Sequence, residues 1–250
     1  MKRRIVIAPP AHPGIMGILL LVLVAPIFLG FVLPGALVAA LDPLGIPEAA
    51  PLVLLLMALS PFLGFVNVVI RRREVRAQVL EVEYISLFGV PIPVARPRWT
   101  SFESLLAVNV GGALVPLSIA ALMTVAEGFA PRAQELLAAT AVTSALVIAV
   151  TYRSSKVVNG VGIVVPAFIP PLTALLASLV LTWPLGLQAY IPAISYTGSV
   201  YGTLIGADVL NLLTNGDSIN AWLLSIGGAG TFDGIFMSGV LSMVLSALLV

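Results

Sequence analysis

From Val157 to Ala207 the chain carries no Asp, Glu, Lys, Arg or His, and that run limits its folding options more than any other feature. A stretch so long and so poor in charge cannot remain solvated. In a bilayer no water satisfies the backbone, so every amide must find a partner within the protein, which leaves α-helices or a closed barrel. Barrel strands alternate apolar and polar residues over roughly ten positions. Here the apolar runs are unbroken and about twenty residues long, the length of a membrane-crossing helix. The whole chain repeats the pattern: 9% of its 250 residues are charged and 60% are apolar, against about 25% charged in a soluble domain.

The expected fold is therefore all-α and polytopic, a single transmembrane domain over residues 1–250 with about seven spans. These run over 14–36, 50–70, 104–126, 134–152, 160–182, 192–213 and 226–250. The first apolar run shows no small-residue cleavage site and reads as a retained span rather than a signal peptide. Basic clusters at Lys2, Arg3 and Arg4, at Arg71, Arg72, Arg73 and Arg76, and at Arg153 and Lys156 all fall on one side. The positive-inside rule makes that side cytoplasmic. The opposite connectors hold Asp42 and Glu48, then Glu127, Arg132 and Glu135. A plasma-membrane protein with an inside amino terminus and an outside carboxyl terminus is the expectation.

Residues 71–103 form a polar cytoplasmic insert. Gln78 to Ser86 alternates like a strand, Phe88-Gly89-Val90-Pro91 turns, and Arg96, Arg98 and Trp99 lead back. The segment reads as a short β-hairpin with Trp99 and its arginines at headgroup level; a peptide-binding strand edge is the sharper reading. A weaker pattern is an internal echo. Ala107-Val-Asn-Val-Gly-Gly-Ala113 resembles Leu224-Ser-Ile-Gly-Gly-Ala229, and a duplication relating the two would be parallel.

The net charge of +1 offers no nucleic-acid surface, and the expected partners are the lipid bilayer and transmembrane peptides. There is no cysteine and one histidine, His12, in a Pro-rich leader. No ligand set converges on a metal, and no cofactor motif is present. Against this background two acids inside the spans stand out: Asp208 in Gly206-Ala-Asp-Val-Leu-Asn211, and Asp233 in Gly230-Thr-Phe-Asp-Gly234. A carboxylate at the centre of a membrane helix costs about 2.5–3.5 kcal/mol on insertion scales, so such residues point to function. Asp208 lies roughly 10 Å from the turn at Thr214–Ser218. If the last helix starts near Gly227, Asp233 is about 8 Å deep, at the same level. Two carboxylates sharing a site hold one proton between them. One then activates water while the other polarises a carbonyl.

Several segments carry a resemblance. Asn109-Val-Gly-Gly-Ala-Leu-Val-Pro116, Ile169-Pro-Pro-Leu172, Gly206 to Leu212 and Gly227 to Ile235 resemble an uncharacterised family of archaeal and bacterial multi-pass membrane proteins, which implies no activity. Asp208 and Asp233 also resemble the paired aspartates on the sixth and seventh spans of presenilin and signal-peptide-peptidase-type intramembrane proteases. Two extra residues, Thr231 and Phe232, separate Gly230 from Asp233, where those proteases carry Gly-x-Gly-Asp.

The leading expectation is an intramembrane aspartyl-protease-like hydrolase with Asp208 and Asp233 catalytic. Gly227, Gly228, Gly230, Gly234, Asn109, Gly111, Gly112, Asn211, Pro170 and Pro171 would line the substrate path. The alternative is an ion-coupled secondary transporter, with Gly-rich helix breaks at 109–112 and 225–228. Its ion ligands would be Asp208, Asp233, Asn109 and Asn211.

Overall fold

The computed structural model describes residues 5–7, 28–87, 90–158, 162–216, 219, 221–228 and 234–250. The leader, most of the first expected span, Gly230 and Asp233 lie outside them.

The β-branched run Val66-Asn-Val-Val-Ile70 favours extended backbone and begins β2 (Val66–Leu87). It pairs antiparallel with β3 (Val90–Asn109) almost end to end, interrupted by one bulge at Ile70. At the base of this ribbon, β1 (Ile5–Ile7) adds to the outer edge of β2, antiparallel. On the other side β6 (Leu223–Ile226) adds to β3 in parallel. The sheet order is β1-β2-β3-β6. A separate small pair joins β4 (Lys156–Val158) to β5 (Gly162–Val164).

The helices are α1 (Leu33–Leu41), α2 (Ala50–Leu63), α3 (Val115–Phe129), α4 (Ala133–Ser154), α5 (Ile169–Thr182), α6 (Ile191–Thr203), α7 (Leu210–Asn215) and α8 (Gly234–Ala247). A π-helical stretch, Leu204–Val209, joins α6 to α7. Counting that continuous rod as one, seven helices stand among the described residues.

The fold is therefore mixed α/β, and the expectation of an all-α bundle of seven spans is wrong. Two helices are long and apolar enough to cross a membrane: Val110–Phe129 and Ala133–Ser154, at 20 and 22 residues. The rod over 191–215 is longer but more polar, and the other helices are shorter; α8 has 14 residues, about 21 Å of helix. Hydropathy sums count a buried strand and a buried helix alike, and that is where the expectation failed. The end of span two (66–70), the start of span three (104–109) and part of span five (162–164) are strands, and β6 ends at Ile226, the first residue of span seven.

Hydroxyl side chains share the interior with the apolar core. On α4 the buried face carries Thr140, Thr143, Ser144 and Thr151, while Leu137, Val142, Leu146 and Val150 are exposed. α6 runs through the centre and buries Ser195, Thr197 and Ser199, and α8 buries Ser238, Ser242 and Ser246. Two hydroxyl pairs bridge α6 and the rod it continues into to α8: Ser195 to Ser246 at 2.9 Å and Thr203 to Ser238 at 3.0 Å. Gly198, Gly202 and Gly206, one per helical turn, seat the rod on α4. A Cβ on Gly202 would overlap Val147, and one on Gly206 would stand 2.6 Å from the carbonyl oxygen of Ile148.

Candidate functional site

The site grows from two places where a strand becomes a helix. β3 ends at Asn109, whose side-chain Oδ1 accepts the N–H of Gly112 at 2.7 Å and caps the π-helical turn Val110–Leu114. Asn109 also donates through Nδ2 to the carbonyl of Gly64 (2.6 Å) and to Oδ1 of Asn67 (3.0 Å). Ser225 on β6 donates to that same Asn67 oxygen at 2.6 Å. Asn109 and Asn67 are fully buried, so this knot fixes the register of β2, β3 and β6 where they enter the helical body.

Gly111 has no room for a side chain: a Cβ there would overlap the backbone of Ser60 and Gly64. Ser60 Oγ donates to its carbonyl at 2.6 Å. The second junction sits beside the first. Gly227 and Gly228 adopt φ of +85° and +74°, a left-handed turn that favours glycine. A Cβ on Gly227 would lie 2.6 Å from Ala113. The two echoing segments thus lie side by side, with Ala107 opposite Ser225 and Val108 opposite Ile226 on parallel strands.

Asp208 reaches this second junction. It lies on the π-helical stretch, a geometry that appears frequently at functional sites. Its Oδ2 accepts the backbone N–H of Gly227 at 2.7 Å. Asn211, one turn on, steadies the stretch. Its Nδ2 donates to the carbonyls of Gly206 (3.1 Å) and Ala207 (2.9 Å) and to Ser155 Oγ at the end of α4 (2.7 Å).

The residues read from the sequence therefore separate. Asp208, Gly227 and Gly228 meet at the second junction, with Gly111, Gly112 and Asn109 forming the wall beside it. Asn109 and Asn211 both engage their side-chain amides in internal hydrogen bonds. Pro170 and Pro171 are buried in the first turn of α5, where the missing N–H costs nothing. Gly234 opens α8; the helix expected to start near Gly227 is described only from there. Asp233 and Gly230 lie outside the described residues. No group of three or more metal-ligating side chains occurs among those described.

One acid went unrecognised in the sequence. Glu127, assigned there to an outer connector, is fully buried on α3. Its Oε2 accepts from Thr140 Oγ1 at 2.8 Å, while Oε1 has no hydrogen-bond partner. The signal was present in the spacing of Ile119, Met123 and Glu127, which share the buried face of α3.

Fold and site together define a mixed α/β protein with two helices able to cross a membrane and a carboxylate held at a strand-to-helix junction. The chain belongs to the DUF1614 family, proteins of unknown function, whose model matches residues 62–245. That match includes both junctions, Asp208 and Glu127, and it carries no link to the presenilin-type proteases. No curated protein and no solved structure matches the chain.

Proposed function

We propose that this chain is a membrane-embedded hydrolase that cleaves peptide bonds of membrane-associated substrates with Asp208 and Asp233 as its acid–base pair. The observation that carries the reading is the hydrogen bond from Gly227 N–H to Asp208 Oδ2. It ties one carboxylate to the turn that leads, six residues later, to the other. Asp208 would act as general base toward water, and Asp233, protonated, would polarise the scissile carbonyl.

Membrane insertion is supported by the large apolar side chains that α4 exposes. The α3–α4 hairpin supplies the two spans, and α4 turns Thr140, Thr143, Ser144 and Thr151 inward while exposing Leu137, Val142, Leu146 and Val150, as expected where lipid is the solvent. The test is cleavage of a transmembrane peptide panel by purified protein in lipid nanodiscs, with a hydroxyl-bearing transition-state isostere as competitor. Cleavage blocked by the isostere supports the reading; no cleavage across the panel counts against it.

A second reading is proton-coupled transport, favoured by Glu127. A buried carboxylate with one unpartnered oxygen is the kind of group that carries protons in membrane transporters. Uptake into liposomes driven by a pH gradient, lost on Glu127→Gln, would favour it over hydrolysis.

A further inference from the structure

The ribbon formed by β2 and β3 is too long to be explained by the sheet at its base. β1 covers the edge of β2 only over Val66–Val68, and β6 covers the edge of β3 only over Leu105–Val108. Beyond these points no described strand pairs with either outer edge. A two-stranded ribbon alone is marginal in water.

Its faces differ. Alternation puts Glu81, Glu83, Arg96 and Arg98 on one face, where Arg98 pairs with Glu81 at 3.0 Å and Arg96 with Glu83 at 3.2 Å. The other face presents Val82, Tyr84, Pro93, Ala95, Pro97 and Trp99, all exposed. Its edges differ too. β3 carries Pro91, Pro93 and Pro97, and proline cannot donate to a neighbouring strand. β2 has no proline, so past β1 its edge retains the donors and acceptors that template another strand.

We propose that this edge pairs with the same edge of a second copy of the chain, antiparallel, about a two-fold axis at Ala77. The charge pattern selects the register. Of all antiparallel self-pairings of β2, this one alone sets both Glu81 and Glu83 opposite arginines, as Arg73 with Glu81 and Arg71 with Glu83. No like charges then face each other. Arg71 is exposed. Arg73 already donates to the carbonyls of Gly216 and Ile219, so the test falls on the Arg71–Glu83 pair.

Each glutamate would then lie between an arginine of its own β3 and one of the second copy, a network rather than an isolated surface pair. The pairing runs from the bulge at Ile70 toward the ribbon tip and stops where β1 begins. Because the axis is normal to the sheet, the faces bearing Glu81 and Glu83 fall on one side in both copies, and the other side carries Val82 and Tyr84 together with Arg72, Glu74 and Arg76. The result is a continuous four-stranded sheet. The proposal is independent of the hydrolase reading.

The test is the mass of the full chain in mild detergent, by light scattering over a concentration series. The wild type should dimerise, and Arg71→Glu or Glu83→Arg should each weaken the dimer at least about tenfold, since facing like charges is costly. An equimolar mixture of the two variants should restore it, because each supplies the charge the other lacks. Arg71→Gln and Glu83→Gln, which add no like charge within a ribbon, should weaken it less. A wild type that is monomeric throughout overturns the proposal. A dimer that no variant weakens places the contact elsewhere and overturns it also, as does failure of the mixture to recover.

Discussion

Asp208 and Gly227 are joined by a 2.7 Å hydrogen bond from a backbone amide to a carboxylate oxygen, across 19 residues of sequence and from a π-helical turn to the end of a strand. The bond gives Asp208 a structural role beside the proposed chemical one, and the two separate by substitution. Asparagine keeps an oxygen that can accept the Gly227 N–H, so Asp208→Asn should preserve the fold. Asp208→Ala removes the acceptor and should cost about 1.5–3 kcal/mol, the worth of a hydrogen bond to a charged group. Denaturant titration of both variants checks the difference.

Gly227 should tolerate no side chain. Its φ of +85° and the approach of Ala113 act together. Gly227→Ala should destabilise by at least about 1–3 kcal/mol, the usual cost of holding a residue in a disfavoured backbone region. Gly45, also at positive φ but with open space around it, provides the control. Gly45→Ala bears the backbone cost without the clash and should lose less in the same titration.

The glycine seam between α4 and α6 predicts a rescue. Gly202→Ala places a methyl against Val147 and should destabilise by about 1–3 kcal/mol, the range for overpacking. Val147→Ala alone leaves a cavity and should also destabilise. The double variant should be more stable than the sum of the two losses predicts, the signature of coupled neighbours. Thermal melts of the four proteins measure it.

If the exposed face of α4 meets lipid, charge there is costly and charge elsewhere is not. Leu146→Arg should add about 2.5–3.5 kcal/mol to insertion of that helix on translocon scales. Arg76→Glu, on the exposed ribbon, should leave insertion unchanged. A glycosylation-site insertion assay reads both.

The residues of the site were easier to find in the sequence than the fold that holds them. Asp208 stood out because charge is so scarce around it. Gly227 and Asn109 stood out through the repeated Gly-Gly-Ala. Hydropathy could not separate the strands at 66–70 and 104–109 from helix ends, because an apolar β-branched run satisfies both descriptions until its partner strand is known. The hairpin was visible from Gln78 to Ser86, where side chains alternate. Nearer the body Val66-Asn-Val-Val-Ile70 runs apolar and hides the strand. Glu127 was missed because a lone acid beside a turn looks solvated; only the packing of α3 on α4 shows that it is enclosed. The one-per-turn spacing of Gly198, Gly202 and Gly206 gains meaning only in the fold, because which helix they receive depends on tertiary contacts.

The central claim is that Asp208 and Asp233 work as one unit, and its most direct test is the cleavage rate of a transmembrane peptide by wild type, Asp208→Asn, Asp233→Asn and the double variant. Groups that act together are non-additive. Each single substitution should abolish cleavage to background, and the double variant should be no worse. A single variant that retains cleavage within about tenfold of wild type, less than the 10²–10⁴-fold a positioned acid or base contributes, would contradict it.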